Sequence, residues 1–119
     1  MAEPAGGREV FKIVSYKTSK GEKPFWNWLE GIKDRSVRAR ILARLDRLIL
    51  GNFGDSKTVG GGVYELRFHF ASGYRVYFGR EGRLLVILLL GGDKGTQERD
   101  ISRAQLFWKD YLGRKNEAL

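Results

Sequence analysis

The stretch from Val63 to Leu90, VYELRFHFASGYRVYFGREGRLLVILLL, constrains this chain more than any other part of it. In VYELRFHF, Tyr64, Leu66, Phe68 and Phe70 fall on one side and Glu65, Arg67 and His69 on the other, the period-two pattern of a half-buried strand. Ala71-Ser72-Gly73 is a break of hairpin size, and YRVYF resumes the alternation with Tyr74, Val76 and Phe78 inward and Arg75 and Tyr77 outward. The polar faces of the two strands therefore coincide. After a second tight turn at Arg80-Glu81-Gly82, the run from Leu84 to Leu90 is apolar at every position, which predicts a central strand covered on both faces.

The flanking segments supply a first strand and three helices. Glu9 to Tyr16 alternates, with Val10, Lys12 and Val14 opposite Phe11, Ile13 and Ser15. Pro24 suits the first turn of a short helix whose stripe is Phe25, Trp28, Leu29 and Ile32. Asp34 is a helix-capping residue for a second, amphipathic helix ending near Gly51-Asn52, with Val37, Ile41, Leu45, Leu48 and Ile49 on its apolar face. Arg40, Arg44 and Arg47 form a basic stripe beside that face, either as solvated surface or as phosphate contacts. Asn52 to Gly62, rich in glycine and small polar residues, reads as a loop. From Thr96 to Leu112, Ile101, Ala104, Trp108, Tyr111 and Leu112 recur at helical spacing, with a stop expected at Gly113. Met1 to Arg8 reads as a loose leader before a single domain over residues 9–115. The expected order is β-α-α-β-β-β-α: an α+β domain with a mainly antiparallel four-stranded sheet and its helices packed on one face.

Charge narrows the partners. With 22 Lys and Arg against 14 Asp and Glu, the 119-residue chain carries a formal charge of +8, which draws it to polyanions: nucleic acid first, or an acidic protein. It has no cysteine and one histidine, so disulfides and thiolate metal centres are excluded and no metal site or cofactor is expected. The longest apolar run is seven residues, where a membrane-spanning helix needs about 20. Nor does the N-terminus carry a signal-peptide stretch, so the expected location is the cytoplasm.

The face opposite the core gathers Glu65, Arg67, His69, Arg75 and Tyr77. A solvated sheet face with cross-strand charge pairs, each worth about 0.2–1 kcal/mol, accounts for any one of them. Together they also fit RNA cleavage, which needs a base for the 2′-hydroxyl, an acid for the departing 5′-oxygen and positive charge around the phosphorane-like transition state. Glu65 or His69 is the candidate base, Arg75 the phosphate fork, Tyr77 a stacking or phosphate-bonding group, and Lys94 a charge or a proton donor. GGDKGTQ, from Gly91 to Gln97, lacks Walker spacing; its glycines allow close approach, Thr96 can cap the next helix, and Gln97 is placed to support the site.

VYELR, GYRVYF and GGDK-x-x-Q-x-x-DI, in order after PFWNWLEGIKD and the RARI-x-x-RLDRL helix, resemble the killer-protein branch of the RelE/ParE superfamily of type II toxin-antitoxin toxins, the HigB-like and phage-derived group. The resemblance runs from about Phe11 to Trp108. It implies a compact toxin that stops translation by cutting mRNA, usually on the ribosome, and is held inactive by a neighbouring antitoxin, acidic and of a kind that carries a DNA-binding helix-turn-helix. Arg75 matches the arginine set against the scissile phosphate, Lys94 the position implicated in leaving-group protonation, and Glu65 with Arg67 the strand of base and phosphate contacts. Two departures are visible: Ala71-Ser72 stand where relatives carry Gly-Pro, and the lysine pair of some ribosome-dependent members is missing from the preceding strand. The same superfamily contains DNA gyrase inhibitors that are not nucleases, and an inactive binding module is a third possibility, because fold alone does not assign activity.

Overall fold

The doubly apolar segment becomes an interior strand of a five-stranded sheet. The structure, a computed structural model, describes residues 10–117, so the expected leader lies outside the described residues. The elements are β1 (Lys12–Ser15), α1 (Pro24–Glu30), α2 (Arg35–Ile49), β2 (Ser56–Gly60), β3 (Val63–Arg67), β4 (Arg75–Glu81), β5 (Leu85–Gly92), a 3-10 turn (Lys94–Thr96) and α3 (Gln97–Glu117). Strand order is β1-β5-β4-β3-β2. β1 lies parallel to β5 and every other pair is antiparallel, so the sheet is mixed.

Three expectations are corrected here. The sheet has five strands rather than four, because Ser56–Gly60, inside the segment read as a loop, pairs with β3 as an edge strand. The glycines that suggested a loop serve instead as its exit: Gly60, Gly61 and Gly62 all have positive φ, which turns the chain tightly from β2 into β3. Helices cover both faces of the sheet rather than one. Phe25 and Leu29 of α1 and Ile41, Leu45 and Leu48 of α2 pack with Leu66, Val76, Phe78, Val86 and Leu88. Ala104 and Trp108 of α3 pack on the opposite face with Val63, Tyr77, Ile87, Leu89 and Leu90. A strand apolar on both sides leaves no alternative, since burying each large apolar side chain stabilises by about 1.5–3 kcal/mol. The third correction is the helix end: α3 passes through Gly113 and continues to Glu117.

Local chemistry fits these boundaries. The Asp34 carboxylate accepts from the backbone N–H groups of Ser36, at 2.9 Å, and Val37, at 3.4 Å, capping α2. Side-chain bonds stitch α3 across the sheet: Tyr16 donates to Asp110 at 2.6 Å and Tyr111 to Glu81 at 2.7 Å. Burial first, then the Asp110 carboxylate, pushes the Tyr16 hydroxyl up to about 12.

One irregularity decides what the end of β5 can do. Register shifts between Tyr77↔Leu90 and Phe78↔Leu88, leaving Leu89 as a bulge residue. Leu89 and Leu90 therefore both join the core under α3. The alternation then restarts with Gly91 against the Trp28 ring and Gly92 against Asp100 and Thr96. Gly79 likewise lies directly under Trp108. A methyl group at any of these three glycines would overlap the side chain above it.

These contacts predict opposite signs for two glycine substitutions. Gly79→Ala forces Trp108 off the sheet and lowers stability by about 1–3 kcal/mol. Gly113→Ala, with nothing within 4 Å of the added carbon, raises it by about 0.5–1 kcal/mol if the helix continues there. Thermal unfolding of the two variants measures both; a destabilising Gly113→Ala contradicts the continuous helix.

Candidate functional site

Glu65 is a carboxylate with no solvent-exposed surface, and its neighbours define the site. Its position follows from strand parity: Val63, Glu65 and Arg67 share the face that α3 covers, with Tyr77 the cross-strand partner of Glu65 and Arg75 that of Arg67. Arg67 Nε donates to Glu65 Oε1 at 2.9 Å, and Gln97 Nε2, from the first turn of α3, donates to Oε2 at 2.6 Å. Arg75 Nε lies 3.8 Å from Oε1, an ion-pair distance beyond hydrogen bonding. Burial pushes the Glu65 carboxyl up, but the hydrogen bonds from Gln97 and then Arg67 outweigh it, so its pKa falls below the ordinary glutamate value. The group is an ionised anchor.

The guanidinium of Arg75 is held by two carbonyls, those of Gly73 at 2.8 Å and Tyr74 at 3.2 Å. Its side chain is only 10% exposed and its Nε has no hydrogen-bond partner. The expected outward Arg75 is thus corrected: it shares a face with Arg67 but lies mostly beneath the hairpin. Tyr77 is corrected more fully. It has no exposed surface, its hydroxyl makes no hydrogen bond within normal geometry, and burial first, then the charge of Glu65, pushes its pKa up. A ring sealed under α3 offers no face for a base to stack on.

Lys94 comes to the same place from the other side. Its backbone N–H donates to Ser72 O at 3.4 Å, and Lys94 Cβ and Arg75 Nη1 flank Gly73, each about 3.5 Å from where that residue's Cβ would be. Asp93 and Thr96 hold the turn in a reciprocal capping box, with Asp93 accepting from the Gly95 N–H at 2.9 Å. The structure therefore brings Arg67, Arg75 and Gln97 onto one buried anion, Glu65, and sets the Lys94 turn against the hairpin that carries Arg75.

The remaining candidates form a separate groove. Arg40 sits 3.7 Å above the Phe70 ring and Arg44 5.1 Å from Phe68, while Arg44 Nη1 donates to the carbonyl of Arg67 at 2.9 Å. With Arg47 and His69 they line a depression of about 300 Å³ on the α2 side of the sheet. Arg44 is largely structural, since it ties α2 to the last carbonyl of β3. His69, 70% exposed, pairs with Asp55 and holds that carboxyl below its usual range. The two clusters meet at the outer end of β3, on opposite faces of the sheet. Sequence reading missed Asp100, a buried carboxylate that receives the Thr96 hydroxyl and rests against Gly92. Its placement among Ile101, Ala104 and Trp108 at the start of the helix was the available signal.

These contacts predict the effect of Glu65→Gln. It keeps the shape but leaves Arg67 and Arg75 without their anion, costing about 1.5–3 kcal/mol at neutral pH. Because the folded pKa is depressed, the stabilisation is complete above the ordinary value of 4.5 and is lost as pH falls through the lower folded value. The stability gap between wild type and variant therefore narrows below about pH 4.5 in denaturant titrations; a pH-independent gap refutes the charge account.

Comparison with known proteins gives the family. A relative from Haemophilus influenzae, described as an uncharacterized protein, is 50% identical over 82 residues, which is 69% of this chain and 83% of the relative. The family model described as phage derived protein Gp49-like matches residues 27–107. That span holds every residue of the Glu65 cluster. The chain belongs to the phage-derived Gp49-like family.

Proposed function

We propose that the chain is the toxin of a type II toxin-antitoxin module, of RelE type, which stops translation by cutting mRNA on the ribosome without a metal ion and is neutralised by a cognate antitoxin. The observation that carries this reading is the pair of arginines, Arg67 and Arg75, held about the buried Glu65 at one end of the sheet, with the Lys94 turn packed beside the Arg75 hairpin. Membership of a phage-derived family and the motif-level resemblance to the RelE/ParE killer proteins support it.

In the proposed reaction the ribose 2′-oxygen attacks the adjacent phosphorus as the 5′-oxygen leaves. The 2′-hydroxyl gives its proton to solvent water, the departing oxygen takes one from solvent water, and the products are a 2′,3′-cyclic phosphate and a free 5′-hydroxyl. Arg67 and Arg75 stabilise the charge that builds on the phosphoryl oxygens, and fixed donors of this kind contribute far more in a partly desolvated site than in water. Lys94 adds charge on the side of the leaving oxygen. Glu65 is a positioning residue here, holding the fork of Arg67 in place rather than meeting the ribose. The groove of Arg40, Arg44, Arg47 and His69 gives the RNA backbone a second cationic track.

Expression of the chain alone should arrest growth, and mapping of mRNA 5′ ends after induction should show abundant new cleavage sites. Arg67→Ala should lower the cleavage rate about 10²–10³-fold, measured below the variant's unfolding transition, because Glu65 loses one of its hydrogen bonds and stability falls by about 1.5–3 kcal/mol. Intact mRNA with gyrase-dependent DNA breaks would move the chain to the non-nuclease gyrase inhibitors. Normal growth at confirmed expression would remove the toxin reading altogether.

A further inference from the structure

A cleft of about 690 Å³ lies beside the Glu65 cluster. It opens where the sheet is incomplete. β1 pairs with β5 only as far as Leu88, while β5 continues to Gly92, so the last turn of β5 has α1 rather than a strand beside it. Asn27 and Trp28 of α1 form one wall, and Arg99, Asp100, Arg103 and Phe107 of α3 the other, with Gly91 and Gly92 as the floor. The absence of side chains at the two glycines is what makes the space: Trp28 rests on Gly91 and Asp100 on Gly92.

We infer that this cleft holds one nucleotide of the RNA strand next to the phosphate at Arg75, and so helps to select the sequence that is cut. The inference rests on the ribonuclease reading for its cleavage consequence, though not for binding itself. Three features point to a nucleotide. First, the cleft adjoins the cationic centre directly: Gly92, on its floor, is the strand partner of Arg75. Second, its walls carry the parts that single-stranded RNA recognition uses, a half-buried indole for base stacking and two exposed arginines one helical turn apart for the backbone. Arg103 already lies 5.6 Å from the Phe107 ring, so its guanidinium is turned along the wall. Third, Asn27 lines the same cleft and offers hydrogen-bonding groups suited to a base edge, while the buried Asp100 carboxylate is already engaged by the Thr96 hydroxyl and lies 3.7 Å from Arg99 Nε. An acidic peptide is the competing occupant. The carboxylates of Glu22, Asp93 and Asp100 around the cleft repel either anion, so the choice rests on the Trp28 indole, which offers a base a face to stack on and a carboxylate none.

The test uses the whole purified chain and NMR titration with RNA trinucleotides, each carrying 2′-deoxy sugars at its first two positions so that neither phosphate has an adjacent 2′-hydroxyl to attack it. The expected result is a shift of the Trp28 indole and of the Gly91 and Gly92 amides, larger for some sequences than for others. Arg99→Ala combined with Arg103→Ala, both exposed positions, should weaken that binding by at least about tenfold. In cells the same double variant should alter the base composition flanking the mapped mRNA 5′ ends. Shifts confined to the Arg40–Arg47 groove, no shift at all, or stronger displacement of Trp28 by a polyglutamate peptide would each overturn the inference. Trinucleotide binding at Trp28 without mRNA cleavage by the wild type would uphold the cleft and reject the nuclease reading, so the two failures are distinguishable.

Discussion

A carboxylate with no access to water cannot stay ionised unless its surroundings supply what water would have given, and Glu65 is such a group. Much of the Arg75 end of the sheet can be understood as the answer to that requirement. Arg67 and Gln97 complete the hydrogen bonds, Arg75 adds charge at longer range, and α3 must begin where it does for Gln97 to reach across 32 residues of sequence. The arrangement is costly in desolvation. Its return is specificity of position: two arginine forks are held on one face, with Lys94 brought alongside by the capped turn that starts α3.

The placement of that turn goes back to the bulge at Leu89. Without the extra residue, Gly91 and Gly92 would exchange faces, and neither Trp28 nor Asp100 could close on the backbone. The same two glycines define the floor of the cleft between α1 and α3. One irregularity in β5 thus sets both the position of the cationic centre and the space next to it, which links strand register to function through packing rather than through any single catalytic group.

Much of this was legible in the sequence, for reasons that can be named. Strand parity placed Glu65, Arg67, Arg75 and Tyr77 on one face, and that holds in the register of β3 and β4. Asp34 capped its helix as its side-chain chemistry predicts. Parity does not say what covers a face, and there the reading failed: Tyr77 is beneath α3 and Arg75 is mostly buried against the hairpin carbonyls, neither of them out in solvent. The clue lay in the run from Leu84 to Leu90, whose two apolar faces already required helices on both sides of the sheet. β2 escaped notice because its glycines outweighed Lys57-Thr58-Val59, and an edge strand needs little burial to pair. The parallel pairing of β1 and the bulge depend on contacts distant in the chain, and no local pattern encodes them.

The account's central claim is that Glu65 acts through the arginines it holds. A double-mutant cycle on the rate of mRNA cleavage by purified protein with mRNA-programmed ribosomes tests it most directly. If Glu65 works by positioning Arg67, Glu65→Gln should slow the wild type strongly and slow the Arg67→Ala variant much less, a non-additive cycle. Equal loss in both backgrounds would contradict the claim and give Glu65 a role of its own in the chemistry.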